Sequence, residues 1–251
     1  MPQISHAIIL AAGIGQRIRA KHPDLPKGFL RIGNETLIER SIRLLCAVGI
    51  RHILIVTGYQ AHSYESLRTR WNNLETVHNP DYAVSGSMWS LYHALQWTTE
   101  PFLLLESDLI YERRALNQIL DAPHPNTILL AEAIHYGDEV FVETQNARIT
   151  RLSKNQRALS NIDGILVGIS KMDNTMLQAL CRYTSLHLSE TKSFSYEDCI
   201  TAVAPTQAFA PHKSADLIWA EIDTAADLDR VTRVVYPQMV MQNDEHSNVS
   251  I

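Results

Sequence analysis

Short, purely apolar runs that each end in a small or polar turn constrain this chain more than any other feature. Residues 7–10 (Ala-Ile-Ile-Leu) run into Ala11-Ala12-Gly13, and residues 53–56 (Ile-Leu-Ile-Val) run into Thr57-Gly58. Residues 101–106 (Pro-Phe-Leu-Leu-Leu-Glu) run into Ser107-Asp108. A strand with one wet face alternates apolar and polar residues, whereas a strand without alternation is covered on both faces. Helical periodicity separates these runs. Residues 35–48 repeat Leu37, Ile38, Ile42, Leu44 and Leu45 at helical spacing and stop at Gly49; further helices are predicted over residues 61–71 and 87–97. Strands alternating with helices build a mostly parallel sheet in a doubly wound, Rossmann-like α/β fold. Such sheets bind ligands beyond the carboxyl ends of their strands. The glycine loop, Gly58 and Ser107-Asp108 are therefore expected on one rim.

The second half changes character. Residues 75–78 and 127–131 read as strands, and residues 139–153 alternate around Asn146-Ala147 as a β-hairpin. A buried strand over residues 163–170 precedes a helix near 172–183. A helix over 196–203, a strand over 218–222 and a closing helix over 224–235 follow. No Gly-, Ser- or Pro-rich linker divides the 251 residues. One domain over residues 1–237 is expected, followed by a polar, frayed tail over 238–251.

Bulk properties exclude several classes. A net charge of -5 disfavours a general nucleic-acid binder. Cys46, Cys181 and Cys199 are far apart, as expected of reduced thiols in or near the core of a cytoplasmic protein. No zinc motif is found, the short apolar stretch over residues 7–12 is not expected to act as a secretory leader, and no apolar stretch nears the ~20 residues a membrane span needs.

The loop after the first strand, Gly13-Ile-Gly-Gln-Arg17, is not a dinucleotide fingerprint. That pattern needs a third glycine where Ile18 stands, and an acid after the second strand where Thr57-Gly58 stands. It is not an ATP-type phosphate loop either, because no Gly-Lys-Ser/Thr follows at the required spacing. Its glycines let backbone N–H groups approach a phosphate. Arg17, Arg19, Lys21 and Lys27 follow, and Arg17 can grip phosphate oxygens as a fork while Lys27 acts as a point charge. From charge alone, a solvated basic loop is equally open.

The stretch LAAGIGQR followed by PKGF resembles the signature of the sugar-phosphate and choline-phosphate nucleotidyltransferases, LAAGxGxR followed by PK. NPDYAVSGSMWSLYHA (residues 79–94) is similar to a segment of phosphocholine and phosphonate cytidylyltransferases. LLLESDLIYERRAL, Ser153-Lys154, DGILVGISK, YEDCI and WAEIDTAADL resemble the 2-aminoethylphosphonate cytidylyltransferase branch in particular. The resemblance covers nearly the whole chain. It implies a GT-A-like fold in which residues 1–125 mainly bind nucleotide and residues 126–237 mainly bind the acceptor. It also implies a Mg2+-dependent transfer of CMP from CTP to 2-aminoethylphosphonate, within phosphonate biosynthesis. The same chemistry on phosphocholine, a sugar-phosphate nucleotidyltransferase and a catalytically silent nucleotide-binding module are the alternatives. A homodimer is compatible with all of them.

Residue roles follow from the resemblance. Arg17, Lys27 and Asp108 would be catalytic. Leu10, Ala11, Ala12, Gly13, Gly15, Gln16, Arg17, Lys27, Gly86, Ser87, Ser90 and Ser107 would contact the nucleotide, although Gln16 stands where the family carries Ser or Thr. Asp108 and Asp223 would hold the metal. By itself, Asp108 could equally cap a helix starting near Glu112. Asp223 could be an N-cap, with Asp227 facing solvent. Lys154 would hold the acceptor's phosphonate, though alone it reads as a surface lysine. Glu197 and Asp198 would meet its ammonium, with Asp138 and Glu139 as weaker candidates. A cage for a quaternary ammonium would need several of Trp89, Tyr92, Tyr136 and Tyr196 at one point. No nucleophile–base pair is needed, because a phosphoryl oxygen is largely ionised near neutral pH.

Overall fold

The computed structural model describes residues 4–19, 25–132 and 139–247; Lys21, Tyr136 and Asp138 lie outside these residues. The first part of the chain forms β1 (His6–Ala11), α1 (Gln16–Arg19), β2 (Arg31–Ile32), β3 (Glu35–Thr36), α2 (Leu37–Ala47), β4 (His52–Thr57), α3 (Ala61–Ser66) and β5 (Leu74–His78). Next come α4 (Ser87–His93), β6 (Phe102–Glu106), β7 (Leu109–Tyr111), α5 (Arg113–Asp121), β8 (Thr127–Ala131), β9 (Phe141–Gln145), β10 (Arg148–Ser153) and β11 (Ile162–Met172). The chain closes with α6 (Asn174–Leu186), α7 (Tyr196–Val203), β12 (Ala210–Lys213), β13 (Trp219–Glu221), α8 (Ala225–Arg230) and α9 (Tyr236–Ser247).

β1 is central, parallel to β4 on one side and to β6 on the other, and β5 extends this half beyond β4. Its neighbouring residues face opposite layers. Ala7, Ile9 and Ala11 pack with Ile38, Ile42, Tyr64 and Leu116 from α2, α3 and α5. Ile8 and Leu10 pack with Met88, Leu91, Leu180 and Ile200 from α4, α6 and α7. Because both faces are covered, both sets must be apolar, which accounts for the unbroken run in the sequence.

The other half of the sheet is mostly antiparallel, with β12 parallel to β8 at its side. β11 runs antiparallel to β6, β8 and β9, and β9 and β10 form the hairpin. Asn146 and Ala147 turn that hairpin with φ of 53° and 58°, the left-handed pair a two-residue hairpin demands. Among the described residues, nine strands share this mixed sheet.

A third apolar cluster sits beneath the rim. Ile18 and Leu30, from the loops after β1, pack with Ile110 of β7, Ala220 and Ile222 at β13, and Val231, Val235 and Met239 near the C-terminus. β7 and β13 form an antiparallel ribbon pairing Glu221 with Leu109. The last helix differs from the expected polar tail. α8 passes through a π-helical turn, Val231–Val235, into α9, which runs through Pro237 to Ser247. The helix continues across Pro237, whose missing N–H follows directly on the π-helical turn. The expected closing segment therefore continues as a helix.

Candidate active site

Two chain crossings bring distant carboxylates together. Asp108 lies in the two-residue turn between β6 and β7, and its carbonyl accepts from the Ile222 N–H at 3.0 Å. This bond carries the β7–β13 pairing one step further and sets Asp223 beside Asp108. Neither carboxylate is used as a helix cap. Glu112 occupies the N-cap position of α5, and Thr224 that of α8. Asp227 closes a capping box on the Thr224 N–H and hydroxyl and is half-buried rather than solvent-facing.

One ammonium joins the two acids. Lys27 Nζ donates to Asp108 Oδ2 at 2.8 Å and to Asp223 Oδ1. Arg17 donates to Asp223 Oδ2 at 2.6 Å. Burial works against the Lys27 charge, but the attraction of Asp108 and Asp223 outweighs it and raises the amine's pKa well above the lysine range. Burial likewise opposes ionisation of Asp223, yet Lys27 and Arg17 hold its pKa below the usual value.

The glycine loop shapes this arrangement. Gly15 has φ +64°, and a Cβ there would lie 2.9 Å from Lys27 Cγ. The Lys27 stem therefore runs against the loop before its tip reaches the acids. Tyr64 is buried and hydrogen-bonds with the Ser107 side chain and the Gly28 backbone, tying the Lys27 turn to the rim.

Two acids that sequence reasoning left out lie in the same place. Ligand atoms of Glu106, Asp108 and Glu221 all fall within 4.8 Å of one another. Burial, then Glu197 and Asp108, push Glu106 up to about 8. Burial, then Asp108, Glu106 and Asp223, push Glu221 up to about 10. Glu221 shares a hydrogen bond with Asp223, so it keeps a proton among like charges. The overlooked signals were an acid closing the apolar β6 run and the Glu-Ile-Asp alternation, which puts Glu221 and Asp223 on one strand face.

These groups line one cleft of about 1300 Å³. Leu10, Ala12, Gly13, Gly15, Arg17, Lys27, Ser107, Asp108 and Asp223 are among the residues lining it. Gly86, Ser87, Ser90, Lys154, Glu197 and Asp198 also line it, and Glu139 stands on its wall. Ala11 instead packs into the core, and Gln16 is exposed outside the lining.

The remaining cleft residues divide by what already holds them. Ser87 Oγ accepts from the Tyr196 N–H at 2.9 Å, and Ser90 Oγ accepts from Asn79 at 3.0 Å, leaving their hydroxyl protons to donate. Gly86 lets the chain at Ser193 and Phe194 cross it, because a Cβ there would collide with both carbonyls. Asp198 is taken by the α7 capping box, accepting from the Ser195 N–H and hydroxyl. Glu197 is different: its Oε2 is buried without a hydrogen-bond partner. Burial raises its pKa, opposed by its own N–H, by the Ser195 side chain and, less, by Lys154. Trp89 and Tyr92 stack on each other at 4.8 Å outside the cleft lining, and Tyr196 is buried with its hydroxyl on Glu106, so among the described residues these rings do not form a cage.

Comparison with known proteins gives a consistent picture. Residues 7–167 match the MobA-like NTP transferase domain. A bifunctional IPC transferase and DIPP synthase of Aquifex aeolicus is 23% identical over 235 residues, covering 92% of this chain and 51% of that protein. The chain spans about half the length of several curated relatives it matches. A 2-aminoethylphosphonate cytidylyltransferase of Lancefieldella rimae is 24% identical over 230 residues, covering 89% of this chain and 90% of that one. The inositol-1-phosphate CTP transferase structure from T. maritima superposes with a TM-score of 0.80 at 21% identity, covering 95% and 96% of the two chains.

Proposed function

Since the chain belongs to the MobA-like NTP transferase family, we propose that it is a cytidylyltransferase that joins CMP from CTP to 2-aminoethylphosphonate and releases pyrophosphate. The observation that carries this reading is the division of charge along one cleft. Arg17 and Lys27 stand at the glycine loop, and a second pair of opposite signs, Lys154 and Glu197, lines the same cleft. A short zwitterion fits that second pair, its phosphonate toward Lys154 and its ammonium toward Glu197. Glu197 Oε2 offers a buried, unpartnered oxygen, and a primary ammonium can donate to it. A quaternary ammonium cannot donate and would want the aromatic cage that Trp89 and Tyr92 do not build here. The relative of similar length named for this acceptor supports the same choice.

The residues also fit a divalent cation. Asp108 and Asp223 already hold one cation between them, the Lys27 ammonium, and the Glu221 carboxyl adds a further oxygen nearby. Hard oxygen ligands of this kind suit Mg2+, which would neutralise triphosphate charge when bound. The protein's own part is positional. Glycine-loop N–H groups and the Arg17 fork hold the triphosphate, and Lys27 adds a point charge. A phosphonate oxygen, already largely ionised near neutral pH, attacks the α-phosphorus opposite the leaving group. The new P–O bond forms as the α–β bridging P–O bond breaks, and that electron pair leaves with pyrophosphate. No side chain has to accept a proton; the barrier falls because two anions are held in line.

A pyrophosphate-release panel tests the reading. Four nucleoside triphosphates are crossed with 2-aminoethylphosphonate, phosphocholine, phosphoethanolamine and a sugar 1-phosphate. The expected best pair is CTP with 2-aminoethylphosphonate. A preferred sugar 1-phosphate would overturn the acceptor, and no release with any pair would mark a silent nucleotide-binding module.

A further inference from the structure

We propose that the Lys27 ammonium occupies the divalent-cation position of the substrate-free protein and swings to the triphosphate as nucleotide enters, so that cation and nucleotide bind as a coupled pair. This rests on the reading of Asp108 and Asp223 as cation ligands. Lys27 Nζ bonds both carboxylates at once, at 2.8 Å to Asp108 and closer still to Asp223. The three side chains are only 16%, 15% and 12% exposed, so water screens them little. A divalent ion that takes the same oxygens has to displace the ammonium, because two cations cannot share them in a poorly screened site.

The route out is built in. The Lys27 stem lies against Gly15, in the loop whose N–H groups would face the phosphates. Rotation about the outer side-chain bonds carries Nζ from the acids toward the loop without moving the backbone turn, which Tyr64 pins at Gly28. Arg17 bonds Asp223 from its other oxygen and can leave the same way. An entering triphosphate draws both cations off the carboxylates and exposes the oxygens a metal needs. By linkage, whatever nucleotide does for cation affinity, cation does for nucleotide affinity.

The test is direct Mn2+ binding to the full chain, read as loss of the free-ion electron-spin resonance signal. Lys27→Met is expected to bind Mn2+ about tenfold more tightly than wild type without nucleotide, about 1.4 kcal/mol. Equal or weaker Mn2+ binding in a variant with a native melting curve would overturn the exchange. Asp108→Asn separates this from the site assignment: if it leaves Mn2+ binding unchanged, the cation site itself is wrong. Should Lys27→Met not fold, wild-type crystals soaked in Mn2+ decide. An ion on Asp108 and Asp223 with Nζ turned away supports the exchange. An ion elsewhere, or Nζ still on both acids, refutes it.

Discussion

The Tyr196 hydroxyl donates to Glu106 Oε1 at 2.6 Å, joining the first turn of α7 to the end of β6. Its own N–H is meanwhile held by Ser87. Tyr196→Phe would leave a half-buried carboxyl oxygen short of a donor, a loss of about 1 kcal/mol. Urea unfolding should show that loss, and the acceptor KM should rise more than the CTP KM. Full stability would mean that Glu106 finds another donor.

Asp108→Asn should reduce turnover by at least about two orders of magnitude, the scale of removing a key electrostatic group from a reacting site. The fold should survive, because Asp108 holds its place in the β7–β13 crossing through its backbone carbonyl. Near-normal turnover would remove Asp108 from the site.

The two loop glycines should behave differently. A Cβ on Gly13 meets nothing within 4 Å, whereas one on Gly15 meets Lys27 at φ +64°. Gly15→Ala should cost about 1–2 kcal/mol of stability for the left-handed conformation alone. Gly13→Ala should melt like wild type and weaken CTP use only. Equal stability losses in the two variants would contradict this assignment.

Glu197→Gln should raise the KM for 2-aminoethylphosphonate by about tenfold, the worth of one charge-assisted hydrogen bond, with little change for CTP. Asp198→Asn should instead act on α7, where Asp198 closes the capping box, at about 1 kcal/mol. If Asp198→Asn moves the acceptor KM as much as Glu197→Gln does, the division between cap and ligand fails.

One contribution to stability, that of His6, should fall on mild acidification. Burial, then the neighbouring His52, lower the His6 pKa from its ordinary 6.5, and the two rings stack at 4.6 Å. The unfolded chain then binds the proton more readily, so the stabilising contribution is whole above 6.5 and is lost as the pH falls through the lowered value. His6→Gln should flatten that part of the stability–pH curve. An unchanged slope would place its origin elsewhere.

The legible parts of this fold are those where burial leaves no choice of residue. β1, β4 and β6 are covered on both faces and read as unbroken apolar runs, and the Asn146-Ala147 turn announces its hairpin. The direction of β11 was not legible, because an antiparallel strand inside a covered sheet is as apolar as a parallel one. Asp108, Asp223, Lys27 and Arg17 were found through the family signature, and the fold brings them into contact. Glu106 and Glu221 were missed because an acid at a strand end looks like an ordinary rim residue until burial is known. Ser87 and Asp198 both line the cleft and also hold the first turn of α7. The Ser195-to-Asp198 spacing carries a capping box in the sequence, whereas the Ser87–Tyr196 bond depends on the three-dimensional crossing at Gly86.

The separation of 196 residues between Lys27 and Asp223 has a consequence for biogenesis. A ribosome releases the glycine loop and the parallel strands long before β13 emerges. Until then Lys27 has Asp108 alone, and the ribbon that presents Asp223 lacks its second strand. The nascent chain can pair its parallel strands β1, β4, β5 and β6 while its acidic centre is still half-built, so that centre closes only once β13 has emerged.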